Sequence, residues 1–199
     1  MNVVTELRSV PQPPASVAQL PDEDLVLLIR RGHSAAFGEL LRRYQPLLLG
    51  YATRFLGDRS VAADVTQDVF LSFWVERQRY RYLGRLRAYL LAMAFNRCQV
   101  AARARRNHLR KVEKASAALP PVAAADTPLD QLLHAARAEE VRQQLRQLPV
   151  MRKHVLILRY TSELSLAEIA QSTGKSLGTI KSHLSRGLAA LSHLLRGRS

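Results

Sequence analysis

Cysteine is nearly absent: Cys98 is the only one in 199 residues. No disulfide framework is available, and the chain fits a reducing compartment. Long apolar runs are missing as well. The longest helical-looking stretch, Ala88 to Phe95, falls far short of the ~18 residues that a membrane span needs. No charged-then-apolar leader opens the chain, so a cytoplasmic location is expected. Acidic side chains are few beside basic ones, 16 against 30, leaving a formal charge of +14. Apolar residues nevertheless make up 47%, which excludes a disordered polycation and leaves a folded protein with a basic surface. One or two domains are expected, with enough chain to bury a core unaided.

Catalytic constellations are also lacking. His108, His134, His154, His183 and His193 show no metal-ligand spacing with each other or with Cys98, and read as surface residues on helices. Gly174-Lys175-Ser176 matches the end of a phosphate-binding loop, but the first glycine of that motif falls at Ile169 and the segment follows a helix instead of a strand. No Ser/His/Asp set or carboxylate pair sits in a catalytic context. No enzyme activity, metal or cofactor is expected.

The surplus charge is unevenly spread. Residues 1–83 carry 10 basic and 9 acidic side chains, residues 84–114 carry 9 and 1, residues 115–130 carry none and 2, and residues 131–199 carry 11 and 4. Two strongly basic blocks are thus separated by a faintly acidic stretch, which points to two separate contacts with a polyanion.

Periodicity predicts an all-α protein of two helical domains joined by a flexible linker, with no strand-like alternation and no internal repeat. Residues 1–21, with four prolines, read as a flexible tail. A helix starts at Asp22-Glu-Asp24, whose carboxylates favour a helix N-terminus, and ends at Gly32. Ser34 is expected to cap the next, Pro46 to start or kink a further helix stopped by Gly57, and Ser60 or Asp58 to cap one reaching about Arg77. Another helix is predicted from about Arg85 to Arg106. The three prolines and three consecutive alanines of residues 119–128 suit a linker, and helical patterning resumes at Leu129.

The most specific motif lies near the C-terminus. Ser165-Leu-Ala-Glu168 reads as a capping box. Ala170, Gly174 and Ile180 then follow the spacing of a helix-turn-helix: a small residue at the helix contact, a glycine for the positive φ of the turn, and an apolar residue pinning the second helix. Ser176 is expected to cap that second helix, with Ile180, Leu184, Leu188, Leu191 and Leu195 as its buried stripe. Thr179, Lys181, Ser182, His183 and Arg186 then project elsewhere, several toward a DNA groove. An ordinary helical hairpin with a basic solvated face is the plainer alternative. The cap, the turn glycine and the positive charge together favour DNA binding.

Two features of the first half need a different explanation. Asp64, Gln67, Asp68 and Leu71 share one mainly acidic helix face; a solvated face is the plainer reading, and a docking surface for a basic protein the functional one. Arginines interleaved with Tyr80, Tyr82 and Tyr89 suit phosphates and exposed bases. Base stacking is worth about 1–3 kcal/mol, comparable to the few kcal/mol needed to extrude a base.

The order of parts resembles a known family. Asp64-Val-Thr-Gln-Asp-Val-Phe-Leu-Ser-Phe-Trp74, Arg87-Ala-Tyr-Leu-Leu-Ala-Met-Ala-Phe-Asn96, Leu148-Pro149 with Arg152, Leu166-Ala-Glu-Ile-Ala170 and Gly178-Thr-Ile-Lys-Ser-His-Leu-Ser-Arg-Gly187 are similar to motifs of bacterial RNA polymerase sigma factors of the sigma-70 family, extracytoplasmic-function (ECF, group IV) type. The resemblance implies that residues 22–106 are sigma region 2, residues 107–130 the linker and residues 131–199 sigma region 4. It implies core-polymerase docking on the β′ clamp helices through Asp64, Gln67 and Asp68. It implies −10 recognition and melting through Tyr80, Tyr82, Arg87, Tyr89, Asn96, Arg103 and Arg106. For the −35 element it implies Ser176, Thr179, Lys181, Ser182, His183 and Arg186, with another surface of that domain meeting the β flap. An anti-sigma factor is a further candidate partner. The chain departs from the family pattern at Tyr89 in place of Trp, Val100 in place of Asp and His183 in place of Arg.

Residues 107–130 fully extended span about 80 Å at ~3.3 Å per residue. Promoter elements one and a half duplex turns apart lie about 50 Å apart, so this linker reaches. The expected function is a dissociable, non-enzymatic initiation factor. A stand-alone helix-turn-helix regulator is the alternative, and it leaves the acidic helix without a role.

Overall fold

Three carboxylates, then apolar residues at helical spacing, begin the first helix of the computed structural model, which describes residues 17–82, 84–113, 140, 141, 143–162 and 164–196. Helix α1 (Asp22–Arg30) buries Leu25, Val26, Leu28 and Ile29, and Gly32 closes it at φ 87°. Just before it, a 3-10 turn at Val17–Gln19 lies against the next helix, where Arg43 donates to the Ala18 carbonyl at 2.9 Å. The end of the expected tail is therefore packed; residues 1–16 lie outside the described residues.

Helix α2 (Ser34–Leu56) is continuous with Pro46 inside it, so no new helix starts at that proline. An interior proline disfavours a helix by about 3 kcal/mol. Leu40, Leu48, Tyr51 and Phe55 are all buried on α2, and each such side chain returns about 1.5–3 kcal/mol, so burial outweighs the lost rung. His33, not Ser34, occupies the N-cap, and no side-chain cap bond forms there. Gly57 ends α2 in the left-handed region at φ 70°.

Asp58 caps helix α3 (Arg59–Glu76), accepting from the Ser60 and Val61 amides at 3.0 and 3.2 Å. Helix α4 (Leu86–Glu113) runs past the expected end at Arg106, so the first part of the expected linker is helical. Residues 114–130, the rest of it, lie outside the described residues. Cys98 is buried on α4, and burial pushes its thiol up to about 12, which removes any thiolate chemistry near neutral pH.

The second half contains a helical stretch at 143–147, then α5 (Val150–Thr161), α6 (Leu166–Thr173) and α7 (Leu177–Arg196). Among the described residues there is no strand. Six consecutive residues of α5, Lys153 through Leu158, are buried, so this helix is covered on more than one side. One side faces α7. There Gly187 is buried, and a Cβ at Gly187 would sit 3.1 Å from Leu156 Cδ1. The stripe on α7 thus runs through Ile180, Leu184, Gly187, Leu191 and Leu194, and Leu188, expected within it, is exposed.

The other side of α5 faces α2 and α4. His154 Nδ1 and the Tyr51 hydroxyl share a 2.7 Å hydrogen bond, and the imidazole stacks on Phe95 at 3.7 Å between ring centroids. Lys153 donates to the Phe55 carbonyl at 3.0 Å, and Arg146 donates to the Gly57 carbonyl at 3.0 Å. His154, expected at the surface, is 1% exposed, because two aromatic neighbours and one polar partner make it a core residue. Burial lowers its imidazole to about 3, so it is neutral. One continuous core consequently joins Leu25, Leu40, Leu90 and Leu91 of the first half to Val155, Ile157, Ile169 and Ile180 of the second.

Two glycines in the helix-turn-helix have opposite requirements. Gly174 has φ 65° with nothing near its missing Cβ, whereas Gly178, inside α7, meets only Ser176 Oγ at 4.0 Å. Gly174→Ala is expected to destabilise by about 1–2 kcal/mol through its left-handed backbone, and Gly178→Ala to stabilise by ~0.5–1 kcal/mol. Urea unfolding of the two variants tests the opposite signs.

Glu39 is held by Arg42 at 2.8 and 2.7 Å and by Arg43 at 2.7 Å. The hydrogen bond from Arg42, then that from Arg43, lowers its carboxyl from 4.5 to about 2. This contribution is present above the unfolded carboxylate range and is lost as pH falls from 4.5 toward 2. Glu39→Gln is expected to flatten the melting-temperature decline across that window, as read by circular dichroism.

Candidate nucleic-acid interface

The helix-turn-helix is built from local signals that agree. The Ser165 hydroxyl accepts from the Glu168 amide at 3.2 Å, and the Glu168 carboxylate accepts from the Ser165 amide at 2.8 Å. The Ser165 hydroxyl also donates to this carboxylate at 2.6 Å, and that bond, then the one from the Ser165 amide, holds the Glu168 carboxyl below its ordinary value, helped by Arg87 and Arg85 nearby. Gly174 turns the chain, and the Lys175 amide closes back on the Ala170 carbonyl at 3.0 Å. Ser176 Oγ accepts from the Thr179 amide at 3.2 Å, capping α7, and pairs with the Thr179 hydroxyl at 2.8 Å. Ile180 is fully buried beneath.

On α7, Thr179, Lys181 and Arg186 are exposed, and Ser182 and His183 half-buried. Thr179, His183 and Arg186 stand at i, i+4 and i+7 along one flank. Lys181 is about 200° round the helix from Thr179 at 100° per residue, on the opposite flank. Six residues expected together therefore form a face with two edges, and Lys181 occupies an edge.

The second candidate surface is α4 with the segment leading into it. Tyr89, Asn96 and Arg103 recur every seven residues and lie along one line, with exposed Arg106 beside it. Arg87 does not join them: it falls on the opposite side of α4, near Glu168, and its Nε is buried without a hydrogen-bond partner. Tyr80 is 8% exposed, packed 4.5 Å from the Tyr89 ring and 5.6 Å from Phe73. Burial, then the Tyr82 and Tyr89 hydroxyls, pushes its own up to about 12. Tyr82 and Tyr89 are half-buried. The expected set thus divides into a partly exposed line, an internal support and one arginine facing the second half of the chain.

The acidic stripe is solvent-facing as drawn from the sequence: Asp64, Gln67, Asp68 and Leu71 are exposed on α3. Beside it runs an apolar groove of about 390 Å³ between α2 and α3, lined by Phe37, Leu41, Leu49 and Phe70. The stripe follows from helical period alone, whereas the groove depends on how α2 packs beside α3. Nor is the sequence enough to show the basic crevice of about 510 Å³ where Arg103, Arg105, Arg106, Arg146 and Lys153 converge between the two halves. The continuous apolar run Val155-Leu-Ile-Leu158 was the available signal that α5 is buried on several sides.

Comparison with known proteins identifies the family. The family described as sigma-70 region 2 matches residues 40–108, and that described as sigma-70, region 4 matches residues 138–191. The RNA polymerase sigma-H factor of Pseudomonas aeruginosa is 29% identical over 90% of this chain and 96% of its own. The ECF RNA polymerase sigma factor SigW of Bacillus subtilis is 24% identical over 84% of this chain and 93% of its own. The solved structure of the sigma factor RpoE in complex with the anti-sigma factor NepR from Bartonella quintana shares the fold, with a TM-score of 0.62 at 23% identity over 80% of this chain and 96% of that one. With regions 2 and 4 both present and in order, the chain belongs to the ECF group of the sigma-70 family: it is a non-enzymatic RNA polymerase sigma factor that directs promoter-specific transcription initiation.

Proposed function

We propose that this sigma factor divides its work among three surfaces on residues 22–106 and 131–199. Asp64, Gln67 and Asp68, exposed on α3 beside the apolar groove, dock core polymerase at the β′ clamp helices. Tyr82, Tyr89, Asn96, Arg103 and Arg106 contact and open the −10 element, with Tyr80 supporting Tyr89 from beneath. Arg87 meets −10 DNA only once Glu168 has moved away. Ser176, Thr179, Lys181, Ser182, His183 and Arg186 engage the −35 element, the first two also fixing the start of α7, while another face of this domain meets the β flap. An anti-sigma factor is a further partner, and the site of action is the cytoplasm.

The observation that carries this division is the line of half-buried Tyr89 and exposed Asn96 and Arg103 on one helix, together with a capped helix-turn-helix in the same chain. Short polar side chains at 179, 182 and 183 suit base edges, and the edge position of Lys181 suits a phosphate.

Run-off transcription with purified core polymerase, with and without the protein, tests the function; absence of promoter-specific product combined with absence of core binding would overturn it. Lys181→Ala is expected to weaken promoter binding at every sequence and to lower the salt slope by about one. An unchanged slope removes Lys181 from the phosphate contacts. Asp64→Lys with Asp68→Lys is expected to weaken core binding by at least about tenfold through like-charge contact, measured by fluorescence anisotropy, while leaving the helical content unchanged.

A further inference from the structure

We infer that the crevice where Arg103, Arg105, Arg106, Arg146 and Lys153 converge binds an oligophosphate, either bare or carried on a nucleoside. Arg103 and Arg106 also belong to the surface proposed above for the −10 element, so the occupant and promoter DNA compete for them. Binding itself does not depend on that reading.

The crevice has the size of a ligand site and an unbalanced charge. Its volume of about 510 Å³ falls within the ~300–1,000 Å³ usual for small-molecule pockets. Five cationic side chains line it and no Asp or Glu does. Among the described residues, the one carboxylate paired with these cations is Asp58, 3.8 Å from Arg105. Its other oxygen is already engaged by the Ser60 and Val61 amides at the start of α3. The positive surplus therefore stands without an answering charge, and a multiply charged anion supplies one. Crowding of the cations shows at Lys153: burial, then Arg146 and Arg106 nearby, lower its ammonium.

Two of the cations are held in place before any ligand arrives. Arg146 donates to the Gly57 carbonyl at 3.0 Å, and it lies so close over Gly57 that a Cβ there would collide with its guanidinium. Lys153 donates to the Phe55 carbonyl at 3.0 Å and stands over the Phe55 ring at 4.4 Å. Little side-chain freedom is left for a ligand to remove. Across from them, Arg103 and Arg106 are neighbours one turn apart on α4. Guanidinium forks take two phosphate oxygens at once, so several of them around one crevice suit linked phosphates better than a single one. They converge from opposite walls, α4 on one side and residues 143–147 with α5 on the other, which favours a compact anion over a duplex met from one side. Leu56 and Val150 add an apolar wall beside the cations, where a nucleoside joined to the phosphates finds its contact.

Isothermal titration calorimetry of the full chain, without polymerase or promoter, tests the site with inorganic tripolyphosphate, ATP and inorganic phosphate. Tripolyphosphate is expected to bind once per chain, and inorganic phosphate at least about a hundredfold more weakly, because it reaches fewer cations. Arg146→Gln and Arg105→Gln, both at exposed positions, are each expected to weaken tripolyphosphate about tenfold. Arg31→Gln, exposed and outside the crevice, is expected to change nothing. Arg105 has no bond to the second half among the described residues, so its variant separates ligand contact from packing; it decides if Arg146→Gln loses helical signal. ATP binding about tenfold tighter than tripolyphosphate, and weakened by Val150→Ser, supports the site with a nucleoside polyphosphate as occupant. ATP affinity no greater than that of tripolyphosphate supports it with the bare chain. Absence of saturable binding by both probes while a random-sequence duplex binds would make these arginines a nucleic-acid surface and overturn the proposal. Inorganic phosphate binding as tightly as tripolyphosphate, or Arg31→Gln losing as much affinity as the crevice variants, would overturn it too.

Discussion

Helix α5 is buried through six consecutive residues, Lys153 to Leu158, and one helix face accommodates only every third or fourth position. Two different surfaces must therefore cover it. On one side Leu156 sits against Gly187 of α7, which fixes that helix on its platform. On the other side Lys153 and His154 reach α2 and α4. The position of the helix-turn-helix relative to the Tyr89–Asn96–Arg103 line follows from this double burial, because α6 and α7 are carried on α5 and α5 is seated on the first half.

That seat brings together two halves whose basic blocks repel. The conflict is resolved with carbonyls: Lys153 and Arg146 each find a backbone oxygen at the end of α2. Burial lowers the Lys153 ammonium, and Arg146 and Arg106 nearby lower it further, so the contact is electrostatically tense around a well-packed apolar centre. His154 adds no charge, because burial keeps it neutral. The contact is thus apolar at its centre, where one core joins the two halves, and cationic at its rim. On α7 the same economy of charge appears: the helix buries Ile180 and Gly187 and turns Lys181 and Arg186 outward.

Features controlled by a few neighbouring residues were readable from the chain. The Ser165–Glu168 capping box, the left-handed Gly174 and the Asp58 cap each depend on hydrogen bonds or φ values within four residues. The acidic stripe on α3 depends only on helical period. Pro46, Leu188, His154 and Tyr80 were misplaced for one shared reason: their surroundings come from distant segments. Pro46 remains inside α2 because the buried face on either side of it is continuous. Leu188 yields its inward place to Gly187 because Leu156 approaches α7 closely. Tyr80 turns inward because Phe73 and Tyr89 offer it an aromatic pocket.

The sequence by itself determined an all-α chain with two basic blocks, an acidic helix face and a helix-turn-helix, since charge distribution, helical period and capping are properties of short stretches. Tertiary structure alone decided that Arg87 faces Glu168 away from the Tyr89–Asn96–Arg103 line, that His154 is a core residue, and that the two halves share one core. These outcomes depend on which helix packs against which, and that is set by burial summed over side chains far apart in the chain.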